Sequence, residues 1–263
     1  MTLPDSAISE LQLAKNLVEN PGMAAKITNY IGKPLEMGLE KLPKNWQKKI
    51  GTITEAALLK ASEAAIFTIN NVPGKASSNN WHKLGVAVSG GLGGFFGLPA
   101  LAIEVPVSTT IMLRSIAEIA RSHGESISNM ETKLACLEVF ALGGNLKTDD
   151  CTESGYFAVR TLLARTVSES AEYITVKGLT EEGLPIILRL LTKVAERFSI
   201  QISEKAAAQA VPLVGAAGGV LINTIFINHF QDMATGHFII RKFERFYGKE
   251  QTRQIYDELP NLG

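Results

Sequence analysis

Thiols are scarce: Cys136 and Cys151 are the two cysteines among 263 residues. Two thiols make neither a disulfide framework nor a four-ligand zinc site. Net charge is missing as well. Lys and Arg number 26 and Asp and Glu number 26, so the chain as a whole attracts neither nucleic acid nor an acidic bilayer. Such contact would need a local patch, and no basic-aromatic stripe suited to nucleic acid is present. Catalytic signatures are absent too. No glycine run leads into Gly-Lys-Ser/Thr, which excludes a P-loop, and neither GxSxG nor HExxH occurs. His229 and His237 lack the i,i+4 spacing of a helical metal pair. The expectation is therefore no metal, no cofactor and no recognisable enzymatic site. The opening segment MTLPDSAISELQLAKNLVEN lacks the basic stretch and apolar run of a secretory signal, so a cytoplasmic location is expected.

What is present is helical periodicity. Leu11, Ala14, Leu17 and Val18 recur at helix spacing, and Asn20-Pro21-Gly22 ends that segment. A second helix is expected over residues 24–42, and a third over 45–71 with Ile50, Ala57, Leu58 and Ala61 on its apolar face. Ser128-Asn129-Met130-Glu131 has the form of a capping box, with Ser128 as cap. His123-Gly124 reads as a helix end where the imidazole meets exposed carbonyls. Further helices are expected from Tyr156 onward, after Thr180-Glu181-Glu182, and through the Phe-rich tail, whose Arg241, Lys242 and Arg245 form a solvated side. No period-two alternation supports a strand. Pro73-Gly74 opens the clearest loop. The divisions expected are an N-terminal helical appendage over 1–44, a main helical domain over 45–250 and a tail over 251–263.

Two stretches stand apart. Residues 84–103 contain 20 consecutive positions without charge, and residues 206–231 contain 26. Both exceed the ~20 residues of a transmembrane helix. Both carry small residues four apart: Gly90 with Gly94, Gly93 with Gly97, and Gly215 with Gly219. Such faces let two helix backbones approach closely. Three readings stand: buried central hairpins of a bundle, hairpins that span a bilayer, and peripheral insertion. Pro99, Pro106 and Pro212 are expected to break or kink the helices, which weakens simple spanning.

Within these stretches Glu104 stands out, because a carboxylate after a long apolar run must be paired, hydrated or protonated. Arg114 lies about 15 Å further along a straight helix, too far for a direct pair, and suits Glu118 at i+4. Asn223 is a candidate for hydrogen bonding between helices. Glu104, Arg114 and Asn223 are thus the candidates for a polar network or ligand site. Trp46, surrounded by Lys44, Lys48 and Lys49, is the candidate membrane-surface patch.

The order of short motifs resembles the EcsC family. The residues concerned are Gly90-Gly91-Leu92-Gly93-Gly94, Glu104-Val105-Pro106, Arg114 with Ile116, Ile119 and Ala120, Gly124, Val211-Pro212-Leu213-Val214-Gly215-Ala216, Asn223, Ala234, and FIIRKFERFYG over 238–248. The family commonly has Asp at the place of Glu104 and Tyr at the place of His123. The resemblance implies a bacterial accessory protein, because the family is named for a protein encoded beside an ABC transporter. Its biochemical activity is not established, and it supplies no catalytic residues.

The architecture expected is an all-α helical bundle with two central Gly/Ala-rich apolar hairpins. The leading functional reading is a non-enzymatic accessory or interaction protein at the cytoplasmic face of a membrane, with lipid or a membrane transporter as partner and no nucleic acid. The alternatives are a helical protein binding an apolar ligand or lipid between the hairpins, and a hydrolase with an unrecognised site.

Overall fold

The computed structural model describes residues 4–19, 23–31, 36–40, 42, 44–68, 98–143, 155–177, 184–210 and 215–260. Among them every regular element is helical, as the sequence periodicity requires: the protein is an all-α bundle. The helices are α1 Asp5–Glu19, α2 Met23–Ile31, α3 Glu36–Leu39, α4 Trp46–Thr68, α5 Leu98–Ser122, α6 Met130–Glu138, α7 Gly155–Lys177, α8 Leu184–Ala210, α9 Gly215–Tyr247 and α10 Lys249–Glu258. A 3-10 turn, Val139–Ala141, extends α6.

Helix α9, about 50 Å long, is the central column. It packs against α1, α2, α5, α8 and α10, while α4 lies on α5 and α8. The heart of the core is aromatic. Phe140 sits 4.7 Å from Phe198 and 5.3 Å from Phe230, and Phe226 sits 5.1 Å from Phe230, all tilted or edge-on, the arrangements aromatic quadrupoles favour.

Helix α1 buries Leu11, Ala14, Lys15 and Val18 on one stripe. Its seat on α9 depends on Gly236: a Cβ there would lie 2.6 Å from Val18 Cγ1 and 2.8 Å from the Ala14 carbonyl. Lys15 then closes the far end of α10, donating to the carbonyls of Tyr256 at 2.9 Å and Leu259 at 2.6 Å. A cation there answers the free carbonyls of a helix C-terminus.

Several local expectations change. Within the helix expected over 24–42, α2 and α3 are helical, and residues 32–35 between them lie outside the described residues. Asn129, not Ser128, caps α6, its side chain accepting from the Glu131 N–H at 3.0 Å. The Glu131 carboxylate reaches instead for Arg241, 3.4 Å away. Pro106 does not end its helix, and α5 runs through it from Leu98 to Ser122; burial of Val105, Ser108 and Thr109 on the flanking turns outweighs the single backbone bond a proline forfeits. The helix end at His123-Gly124 forms as expected, with Gly124 at φ 83° and His123 Nδ1 2.9 Å from the Ile119 carbonyl.

Of the small-residue positions, Gly90, Gly94 and Gly97 lie outside the described residues. Gly215 opens α9, and Gly219 is buried one turn on. No helix among the described residues is long and apolar enough to cross a membrane.

Candidate functional site

The charges that border the two uncharged stretches meet. Glu104 on α5 and Lys205 on α8 form an ion pair with side-chain exposures of 2% and 0%. Lys205 Nζ also lies 4.7 Å from the centre of the Phe226 ring, a cation–π contact from α9. Burial pulls the Lys205 ammonium down from its ordinary value, against the opposing charge and hydrogen bond of Glu104. Three helices are thus pinned at one interior point.

The pair satisfies only part of the local polarity. The second oxygen of Glu104 has no hydrogen-bond partner among the described residues, and neither end of the Asn223 amide has one. Asn223 lies one turn before Phe226 on α9 and is fully buried. The structure therefore joins Glu104 to Lys205, 101 residues away, and leaves Arg114 on the exposed side of α5. Lys205 could have been read from the sequence. It is the last charge before the second uncharged stretch, and Glu104 is the first after the earlier one; two opposite charges at the borders of two segments that must bury each other are a natural pair.

A second polar region lies at the other end of α9, where a cleft of about 270 Å³ opens between α6, α7, α9 and α10. Arg160 of α7 donates to both oxygens of Glu244 at 2.7 and 3.0 Å, the two-bond geometry guanidinium and carboxylate favour. Arg241 donates to Glu125 at 2.9 Å, and Thr132 donates to the other Glu125 oxygen at 2.8 Å. Arg245 also bonds Glu125, and it reaches the His123 carbonyl at 2.9 Å. Burial raises the Glu125 carboxyl, but the charge and hydrogen bond of Arg241, the Thr132 bond and Arg245 outweigh it, and the net direction is downward. The expected solvated side of the tail holds for the exposed Arg245 but is also paired: Arg241 and Arg245 meet carboxylates of the α5–α6 turn and α6, and Lys242 donates to Glu10 at 2.8 Å. Their partners lie 110 to 232 residues away, beyond any local pattern.

Beneath the cleft, the Tyr156 hydroxyl and His237 Nδ1 share a hydrogen bond of 3.0 Å. Burial, reinforced by Arg160 and Arg241, holds His237 well below its ordinary value, so the ring is neutral. His229 is buried and neutral as well, pushed down to about 3 by burial and by Lys26. The two histidines join no metal-binding cluster among the described residues. Cys136 is buried, and burial drives its thiol up to about 12, which removes it as a nucleophile at neutral pH.

Of the remaining candidates, Trp46 is half-buried and packed on the core, with Lys44, Lys48 and Lys49 exposed beside it. The outer face of α5 is apolar at its start: Ile103 is 74% and Val107 46% exposed, one turn apart.

Fold and site together define a helical bundle organised on a long central helix, with a buried ion pair toward one end and an arginine–carboxylate cleft toward the other. The sequence matches the EcsC protein family over residues 7–243, and the chain belongs to that family. No curated protein and no solved structure matches it.

Proposed function

We propose that the protein is a non-enzymatic accessory protein of the EcsC type that attaches peripherally to the cytoplasmic face of a membrane. One observation carries this reading. The start of α5 turns Ile103 and Val107 outward while its carboxylate, Glu104, is drawn inward and neutralised by Lys205. The outward surface at Ile103 and Val107 is left apolar and uncharged.

Covering the exposed parts of Ile103 and Val107 is worth about 2 kcal/mol. That supports reversible contact with a bilayer surface and calls for a second contact to hold the protein there. A membrane transporter is the natural source of that contact for a protein of this family.

The test is flotation of the purified chain with neutral and anionic vesicles, beside an Ile103→Glu/Val107→Glu variant. The wild-type chain should rise with vesicles and the variant should remain below. Sedimentation of the wild type with both lipid mixtures refutes lipid as the partner. Flotation only with native membrane vesicles, abolished by protease treatment of those vesicles, assigns the contact to an embedded protein.

A second reading is favoured by the Asn223 amide and the second Glu104 oxygen, which have no hydrogen-bond partner among the described residues. These interior polar groups would fix the head of an apolar ligand or lipid held between the helices. Lipid that co-purifies with the chain, and is lost in Asn223→Leu, would support it; native mass spectrometry is the measurement.

A further inference from the structure

The cleft at the far end of α9 meets the first turn of α10. Helix starts leave backbone N–H groups without an internal acceptor and carry partial positive charge. The residue in the capping position is Gly248, and no side chain caps this helix. Lys249 and Arg253, one turn apart, both line the cleft. Arg253 is steadied over it by the Phe157 ring, 5.2 Å from its guanidinium carbon, and pairs loosely with Asp257 at 3.8 Å.

The end of α6 contributes Glu138 to the same cleft. It lines the cleft, is only 5% exposed, and accepts no hydrogen bond from any described residue. The cations near it are already committed, Arg160 to Glu244 and Arg241 to Glu125. Tyr156 of α7 and the carboxylates Glu131 and Glu244 also face it. Burial, helped by Glu244 and Glu131, outweighs Arg160 and Arg241 and lifts the Glu138 carboxyl to about 7. Near neutral pH a substantial share of this group is in the acid form, and no described residue accepts its proton.

We propose that the cleft binds an oxyanion, the phosphate or sulfate group of a small ester, between the α10 N-terminus, Lys249 and Arg253, with Glu138 in its acid form donating a hydrogen bond to it. The backbone N–H groups and the two cations receive the negative charge. The neutral acid avoids the repulsion that a carboxylate would present, so binding is coupled to uptake of one proton. The exposed Glu250 and the Arg241-bonded Glu131 stand beside the site without closing it.

Sulfate is the probe, because its charge is constant from pH 6 to pH 8. Isothermal titration of the full chain should show binding at pH 6 that weakens about tenfold at pH 8, following the acid fraction of Glu138. Glu138→Gln keeps a donor at every pH. It should bind at pH 8 about as well as the wild type does at pH 6, without pH dependence. Lys249→Ala, at an exposed position, should weaken binding at both values while leaving the unfolding midpoint unchanged. Competition by soluble glycerol phosphate assigns the site to free phosphate esters; competition only by anionic phospholipid vesicles assigns it to headgroups. Absence of sulfate binding, or binding of equal strength at both pH values in wild type and Glu138→Gln alike, overturns the proposal.

Discussion

Removing either member of the Glu104–Lys205 pair strands a charge in the interior, and the two removals should fail in opposite directions with pH. In Lys205→Met, the stranded carboxylate can escape its burial by taking a proton. At pH 7 that costs the interval from its ordinary value near ~4.3, at about 1.4 kcal/mol per unit, a ceiling of about 4 kcal/mol. In Glu104→Met, the stranded ammonium escapes by losing a proton, with a ceiling of about 5 kcal/mol from an ordinary value near ~10.4. The stranded carboxyl binds more protons folded than unfolded, so the penalty for Lys205→Met grows with pH, from about 2 kcal/mol at pH 5.5 to about 4 at pH 7. The stranded lysine binds fewer protons folded than unfolded. The penalty for Glu104→Met therefore shrinks as pH rises, to about 2 kcal/mol at pH 9. The double variant Glu104→Met/Lys205→Met carries no stranded charge and should lie within about 1 kcal/mol of the wild type, or above it. Urea unfolding of the four proteins at pH 5.5, 7 and 9, with a common slope, measures all of this. Single variants that each lose under about 1 kcal/mol, with no pH trend, would falsify the dry pairing; so would a double variant as unstable as the two singles combined.

Two further outcomes follow from the packing and the ion network. Gly236→Ala forces a methyl group against Val18 and the Ala14 carbonyl; we expect a loss of about 1–3 kcal/mol, with hydrogen exchange rising first in α1. Glu125 is held below its ordinary value, so its contribution to stability is present above about pH 4.5 and is lost as the medium is acidified through its lower, folded-state value. Glu125→Gln should accordingly be destabilised relative to wild type at pH 7, with the difference closing toward pH 3 in thermal or urea melts.

How far the sequence could be read depended on distance along the chain. Local periodicity placed α1 through Leu11, Ala14 and Val18, the face of α4 through Ile50, Ala57, Leu58 and Ala61, and the helix end at His123. These features arise from contacts a few residues apart, or from one face of one helix meeting whatever lies inside. Glu104 could be recognised as a group needing a partner, yet the partner sits on another helix and belongs to a pattern that becomes visible only when both uncharged stretches are considered together. The cleft was illegible for the same reason. Arg241, Lys242 and Arg245 look like any solvated helix face until the α5–α6 turn, α6 and α1 bring Glu125, Glu131 and Glu10 to them. Glu138 carries no local signal at all: the second glutamate of ETKLACLEVF becomes unusual only once four helices enclose it. Pro106 shows the opposite failure, a strong local signal overruled by the packing on either side.

That proline has one more effect. Its nitrogen carries no hydrogen, so the carbonyl of Ala102, one turn earlier, is deprived of its customary helical donor. Ala102 is exposed beside Ile103. Whatever rests on this side of α5 must bring a hydrogen-bond donor to that oxygen, which sets a depth: the helix can lie among headgroups and their water, but sinking it into hydrocarbon would abandon a peptide oxygen there at a cost of several kcal/mol.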